Sequence, residues 1–142
     1  MPTRSGSARY QGFGKDGKGT VSTQSGVLAD SPYGFNTRFE NEPGTNPEEL
    51  IAAAHASCFT MALSFALARA GHNSGTLDTS AKVTVEQQDG GFTITSSALE
   101  LTGHVPGISS EEFARLAEEA KANCPVSKLL KADISLKHTL AE

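Results

Sequence analysis

The chain has 142 residues, a net charge of −4, two cysteines and no tryptophan. This length suits one domain with a substantial apolar core, so we predict a single domain over residues 1–142. The 12 basic residues form no dense patch, and aromatic residues are few. We therefore expect no binding of nucleic acid, which needs a basic footprint or a base-stacking platform.

The N-terminus and one apolar stretch bear on the expected compartment. The sequence does not open with a basic segment followed by an apolar one, so no signal peptide is predicted. Residues Leu50 to Ala68 carry no formal charge, but their alanines and interspersed polar residues give only a weak tendency to insert into a bilayer. We therefore expect a helix of a soluble protein, no membrane association and a cytoplasmic location. Two cysteines in such a chain argue against a secreted disulfide scaffold.

The first third of the chain is rich in glycine and small polar residues, which is typical of strands and turns. Two strands are predicted, Ala8–Phe13 and Gly19–Ser25, joined by the segment Lys15–Lys18, in which Asp-Gly is a hairpin turn signal. Val27–Tyr33 is interpreted as a connector, and Gly34–Phe39 as a third extended segment.

A long helix is predicted to begin at Pro47 and to run to about Ala70. Asn46 suits the N-cap position, and Glu49 stands at capping-box spacing from it. Gly71 suits the position just after the helix. Because this helix is apolar on almost all sides, we expect it to lie at the centre of the fold.

The rest of the chain alternates between strand and helix patterns. The elements predicted there are two strands, Leu77–Gln87 and Phe92–Gly103, two helices, Glu111–Ala122 and Pro125–Lys131, and a last strand, Ile134–Leu140. The resulting order, β-β-β-α-β-β-α-α-β, predicts an α+β fold in which antiparallel sheets pack on the long helix.

The two cysteines are the first candidates for chemistry. Cys58 lies within the long helix, where a free cysteine is most often buried and unreactive. Cys124 lies between two helices and directly before Pro125, at the start of a new helix, where a thiolate is favoured. From these positions alone, each cysteine could be structural or redox-active.

Two charged residues could activate such a thiol, because a reactive thiolate needs a nearby cation and a group that holds the cation. Arg38 and Glu49 flank the polar turn before the Cys58 helix, although each could also be an ordinary solvated or helix-capping charge. Glu49 and Cys58 are nine residues apart, which is roughly 13–14 Å along a helix and half a turn out of phase. If both serve one site, Glu49 must reach Cys58 of another subunit, which implies a homodimer.

His55 precedes Cys58 by three residues and shares its helix face. That spacing permits the Cys-His nucleophile pair of a hydrolase or acyltransferase, or half of a metal site. No second ligand motif completes a zinc set. A packing or hydrogen-bonding role for His55 is favoured over a proton-handling one.

Four segments resemble the OsmC branch of the OsmC/Ohr family, whose members are osmotically inducible or organic-hydroperoxide-resistance proteins of bacteria. They occur in the order and spacing of the family, and the similarity covers nearly the whole chain. The segments are Gly34–Glu40, Gly44–Leu50, Ala53–Phe59 and Asn123–Ser127.

The resemblance implies a thiol-dependent peroxidase. Cys58 matches the peroxidatic cysteine, Cys124 the resolving one, and Arg38 and Glu49 the charged pair that tunes Cys58. It also implies a tightly intertwined homodimer with two sites at its interface, an organic hydroperoxide as substrate and an external dithiol, such as a lipoylated protein, as reductant. No metal, haem or flavin cofactor is expected.

The expected cycle passes through a Cys58 sulfenic acid and a Cys58–Cys124 disulfide. We expect Phe59 and Met61 to line the site and to favour alkyl hydroperoxides over hydrogen peroxide. Two other hypotheses are the Cys-His hydrolase and a non-catalytic protein that binds lipid at an apolar interface.

Overall fold

The computed structural model describes residues 1–142, which form two compact units, Met1–Leu50 and Ile51–Glu142. We describe each unit by itself, and the single domain stays a prediction. The helix Pro47–Arg69 begins in the first unit and continues into the second.

The first unit contains an antiparallel three-stranded sheet of β1 (Gly6–Gln11), β2 (Lys18–Thr23) and β3 (Ser31–Tyr33), in that order. A single 3₁₀ turn, Gly14–Asp16, joins the first two strands. The predicted hairpin is therefore confirmed, but β1 ends two residues earlier than expected because Gly12, with φ of 71°, turns the chain.

Gly19 fixes the packing of this sheet. It pairs with Tyr10 on one side and with Tyr33 on the other, and the two rings meet edge to face with centroids 6.0 Å apart. A Cβ atom at Gly19 would lie 2.6 Å from Tyr33 and 2.8 Å from Tyr10. The glycine therefore leaves the space that the two tyrosine rings fill.

The third strand was predicted in the wrong place. The strand is Ser31–Tyr33, within the expected connector, and Phe35–Phe39 forms a short helix, α1, instead of an extended segment. The Gly34 N–H donates to Thr37 Oγ1 at 2.7 Å, and the Phe35 and Phe39 rings pack with centroids 5.2 Å apart. These contacts between residues three and four positions apart favour a helical turn.

The long helix α2 spans Pro47–Arg69, close to its predicted bounds. The Glu49 N–H donates to Asn46 Oδ1 at 2.7 Å, which confirms the N-cap. Gly71, with φ of 96°, follows the helix as expected. The termini thus follow the chemistry of their capping residues.

Burial of α2 differs from the expectation of a helix at the centre of the fold. One stripe, including Phe59, Leu63 and Leu67, is buried, whereas Met61 and Phe65 are 62% and 61% exposed. By length and composition alone, α2 could also span a membrane, and only 22% of its most apolar window is buried within the chain. An apolar face of this helix is therefore uncovered in the single chain.

The second unit contains the strands β4 (Thr76–Gln88), β5 (Gly91–His104) and β6 (Asp133–Leu140). β4 and β5, both predicted as strands, form an antiparallel hairpin with Asp89 and Gly90 at positive φ in its turn. The expectation of purely antiparallel sheets is wrong, because β6 pairs parallel to β5. The helices between them carry the chain back, so β6 runs in the same direction as β5.

Those connecting helices are α3 (Ser110–Asn123) and α4 (Pro125–Leu129). The Glu112 N–H donates to Ser109 Oγ at 3.1 Å, which caps α3. The core of this unit joins α2, β5 and α3, and its fully buried large apolar residues are Phe59, Leu63, Leu99, Leu101 and Phe113. This core holds α2 and the α3–α4 junction, which carry the two cysteines.

Candidate active site

Both cysteines lie in the second unit, and the fold brings them together. Cys58 is partly buried on α2, and Cys124 is fully buried at the junction of α3 and α4. Both are free thiols, and Cys58 packs against the buried cluster that contains Cys124, near enough for Cys124 to influence its ionisation. Two residues far apart in sequence are thus placed as the two partners of a disulfide exchange would be.

Cys124 is the N-cap residue of α4. Its Sγ accepts a hydrogen bond from the Ser127 backbone N–H at 3.3 Å and lies 3.2 Å from Ser127 Oγ. Pro125 occupies the first helical position, where a missing N–H costs nothing. The expected start of a new helix after Cys124 is confirmed, and it supplies the thiol with two polar contacts.

The surroundings of Cys58 favour its neutral form. Burial raises the pKa of the Cys58 thiol above its usual value, and contact with Cys124 raises this pKa further. A hydrogen bond with the Val126 backbone acts in the opposite direction. Because the thiolate is the reactive form, this setting alone does not activate Cys58.

His55 is fully buried one helical turn before Cys58 and bonds to two serines. Its Nδ1 lies 2.6 Å from Ser97 Oγ, and its Nε2 lies 2.8 Å from Ser127 Oγ. The predicted hydrogen-bonding role is confirmed. Both ring nitrogens are occupied, so the structure offers no support for the Cys-His nucleophile pair of a hydrolase.

The charged pair lies in the first unit, and Arg38 pairs with Glu48 rather than with the predicted Glu49. Arg38 Nε donates to Glu48 Oε1 at 2.8 Å, and Nη2 donates to Oε2 at 3.0 Å. Glu49, the predicted partner, instead accepts from Thr45 Oγ1 at 2.9 Å and is exposed. Successive residues of a helix point about 100° apart, so only one of the two glutamates can face Arg38.

Two further residues were expected in the wall of the site. Phe59 is fully buried in the apolar core, so it cannot line an open surface, whereas Met61 is exposed on α2. Ser97 and Ser127 were missed altogether. Ser97 holds an inward position in an alternating strand, and Ser127 stands three residues after Cys124. A polar residue at each such position was the only signal available.

Known proteins resemble the chain along nearly its whole length. A family model described as OsmC-like protein matches residues 39–139. Peroxiredoxin OsmC of Escherichia coli is 55% identical over 137 residues, which cover 96% of each chain. The chain belongs to the OsmC-like family. An organic hydroperoxide resistance protein of Xanthomonas axonopodis is 35% identical over 99 residues, which cover 69% of this chain and 68% of that protein.

Solved structures agree with this membership of the OsmC-like family. An organic hydroperoxide resistance protein from Elizabethkingia anophelis superposes with a TM-score of 0.72 at 29% identity, covering 100% of this chain and 97% of that one. The organic hydroperoxide resistance protein OhrB of Bacillus subtilis gives a TM-score of 0.69 at 27% identity, covering 98% of each chain. The α+β architecture is therefore that of the family.

Proposed function

We propose that this OsmC-like protein is a thiol-dependent peroxidase that reduces organic hydroperoxides to alcohols and serves in resistance to oxidative or osmotic stress. The proximity of the free thiols of Cys58 and Cys124 carries the proposal. The names of the E. coli and Xanthomonas relatives, a peroxiredoxin and an organic hydroperoxide resistance protein, support the same activity.

Cys58 is the attacking residue of the proposed cycle. Its thiolate attacks the distal peroxide oxygen, the O–O bond breaks, and the alkoxide leaves and takes up a proton to form the alcohol. Cys58 is then a sulfenic acid. Cys124 attacks that sulfur, giving a disulfide and water, and an external dithiol restores both thiols by exchange. Since the cycle begins from two free thiols, it needs a reducing compartment such as the cytoplasm.

A homodimer is part of the proposal, and the uncovered face of α2 supports it. Exposed residues recur there every three or four positions, which marks one side of a helix: Ala53, Ser57, Met61, Phe65 and Ala68. A second copy of the chain presents the same face, so the two can cover each other about a twofold axis.

The dimer would also supply the cation that the Cys58 thiolate needs. Ten residues separate Glu48 from Cys58 on the unbroken helix α2, and that length of helix rises about 15 Å. We therefore place the partner subunit's Arg38, held by its own glutamate, beside Cys58. A positive charge there would lower the pKa of Cys58 and stabilise the charge that develops as the O–O bond breaks.

Intact-mass analysis after one equivalent of cumene hydroperoxide tests the function. The wild-type chain should lose two hydrogens, whereas Cys124→Ser should retain one oxygen that dimedone traps as a sulfenic acid. Cys58→Ser should react with neither reagent. A wild-type mass unchanged by the hydroperoxide, or Cys124→Ser turning over repeatedly with a dithiol, contradicts the proposal.

Substrate preference is tested separately, because an apolar interface would favour alkyl groups. We expect faster reduction of cumene hydroperoxide and tert-butyl hydroperoxide than of hydrogen peroxide. The measurement is the second-order rate constant for each oxidant under the same conditions. A larger rate constant for hydrogen peroxide would contradict the preference while leaving the peroxidase chemistry in place.

A further inference from the structure

A buried chain of hydrogen bonds leads from β5 to the Cys124 sulfur. Ser97 Oγ contacts His55 Nδ1 at 2.6 Å, His55 Nε2 contacts Ser127 Oγ at 2.8 Å, and Ser127 Oγ lies 3.2 Å from Cys124 Sγ. All four residues are buried, with at most 8% of their surface exposed. One hydroxyl group therefore separates a thiol from an ionisable ring.

The donors and acceptors of this series of hydrogen bonds can all point in one direction. With hydrogen on Nδ1, the neutral ring of His55 donates to Ser97 and leaves Nε2 as an acceptor for the Ser127 hydroxyl. Ser127 Oγ can then accept the hydrogen of the Cys124 thiol. The Ser127 backbone N–H also donates to Cys124 Sγ at 3.3 Å, which stabilises a negative sulfur.

We propose that His55, acting through the Ser127 hydroxyl, accepts the Cys124 proton when Cys124 resolves the Cys58 sulfenic acid. The inference rests on the peroxidase cycle proposed above and concerns only its second step. Ser127 touches the reacting sulfur, and His55 is a positioning and proton-accepting residue behind it.

The step balances without another oxidant or reductant. Ser127 passes its proton to His55 Nε2 and takes the proton of Cys124. A lone pair of the Cys124 thiolate forms the S–S bond, the S–O bond of the Cys58 sulfenic acid breaks, and hydroxide leaves. Return of the proton from His55 converts hydroxide to water. The Cys124 sulfur is oxidised and the Cys58 sulfur is reduced, which gives one disulfide and one water.

The charge state of His55 suits this role. Burial lowers the pKa of His55 below its usual value, so the ring is neutral at neutral pH with a lone pair on one nitrogen, and a proton that it takes up is readily given back. The ionisable groups linked to it by hydrogen bonds are Cys124 and, beyond it, Cys58. None of the charged side chains on the surrounding elements forms an ion pair with the His55 ring. These residues are Glu100, Lys121, Lys128, Asp133 and Lys137.

A purely structural role would also explain the contacts, because His55 ties α2 to β5 and α4. His55→Gln separates the two roles. The glutamine amide can still bond to both serines, but it cannot take up a proton at neutral pH. Ser127→Ala removes the connecting hydroxyl, and Ser127→Thr keeps it.

The experiment is a single-turnover reaction of the reduced protein with cumene hydroperoxide, followed by rapid quenching and mass analysis between pH 6 and 9. The first phase, Cys58 oxidation, depends on peroxide concentration, and the second, disulfide formation, does not. We expect His55→Gln and Ser127→Ala to slow the second phase about 100-fold at pH 7. Their second-phase rates should rise with pH where the wild-type rate is flat. Ser127→Thr should restore both the rate and the profile.

Ser135→Ala, an exposed change on β6, serves as the control and should alter neither phase. A second phase in His55→Gln with the wild-type rate overturns the inference, and so does a slower phase with the wild-type pH profile. If His55→Gln does not fold, Ser127→Ala and Ser127→Thr give the same comparison. Failure of the proposed peroxidase would be distinct, because the wild-type protein would then show no first phase.

Discussion

Arg38 and Glu48 are joined by two parallel hydrogen bonds, and the Arg38 guanidinium also lies over the Phe39 ring, 5.1 Å from its centroid. The Glu48 side chain is 9% exposed and that of Arg38 is 34% exposed. The cation is therefore fixed at one end while part of its surface remains open. Such a bidentate ion pair fixes the orientation of a guanidinium, and a lysine ammonium could not form the same two parallel hydrogen bonds.

Neutralising Glu48 should therefore lower peroxidase activity more than neutralising its neighbour. We expect Glu48→Gln to reduce kcat/KM for cumene hydroperoxide about tenfold, because Arg38 loses its charged anchor. Glu49→Gln is the matched control and should stay within about twofold, since Glu49 is an exposed residue of the first helical turn. Steady-state assays with a dithiol reductant measure both. A larger loss in Glu49→Gln would assign the anchoring role to the residue originally predicted.

Removing the Arg38 charge should shift the ionisation of Cys58. Burial and Cys124 raise the pKa of Cys58, and a facing cation would lower it, so Arg38→Met should move the pKa upward by about one unit. Since only the thiolate reacts, the alkylation rate should then begin to rise at higher pH. Iodoacetamide labelling from pH 5 to 10, with Cys124→Ser in every variant, measures the profile.

Arg115→Met is the control for that profile, because Arg115 lies on α3 and is 58% exposed. Arg115→Met should leave the pH dependence of Cys58 alkylation unchanged. Superimposable profiles for Arg38→Met and the parent would show that Arg38 does not act on Cys58.

A charge on the uncovered face of α2 should prevent dimer formation. Phe65 is 61% exposed in the single chain, and Phe65→Arg would place a charge at the proposed interface twice, once from each subunit. We expect at least about a 30-fold weaker dimer, the effect typical of a central interface residue. Sedimentation velocity across a dilution series measures it. Glu118→Arg on α3 should sediment like the wild type, and an unchanged Phe65→Arg dimer would exclude this face.

A methyl group at Gly103 should destabilise the second unit. Its Cβ would clash with Phe113 Cζ, and Phe113 is fully buried, so we expect Gly103→Ala to lower the free energy of unfolding by about 1–3 kcal/mol. Gly91→Ala, on the same strand, meets no atom closer than 4.0 Å and is the control. Urea unfolding at fixed protein concentration compares the two. Equal stabilities would mean that the core adjusts around Phe113.

Local chemistry explains which elements could be predicted. Asn46 and Gly71 specify the ends of α2, and Asp89-Gly90 specifies the β4–β5 turn, because capping and turn residues act on their own neighbours. The direction of β6 could not be predicted in this way. Alternation shows which residues share a face of a strand, but not how the strand aligns with its neighbour.

The candidate site was predicted in part. The resemblance to known proteins identified Cys58 and Cys124 as one pair, and the structure places them close together. The choice between Glu48 and Glu49 depends on which of the two faces Arg38, and two adjacent glutamates in the sequence do not show which face of the helix is turned toward the arginine. Ser127 was missed because its contact with His55 joins residues 72 positions apart.

The placement of Cys58 on α2 and of Cys124 directly after α3 also determines what a Cys58–Cys124 bond would enclose. β4, β5 and α3 all lie between the two cysteines in the chain. Oxidation would close them into a covalent ring of about 65 residues. A ring of that size lowers the entropy of the unfolded chain and so stabilises the folded one by about 4 kcal/mol. The oxidised and reduced proteins should thus differ in their resistance to denaturation and proteolysis. The thermal stability of a sample would then depend on its earlier exposure to peroxide.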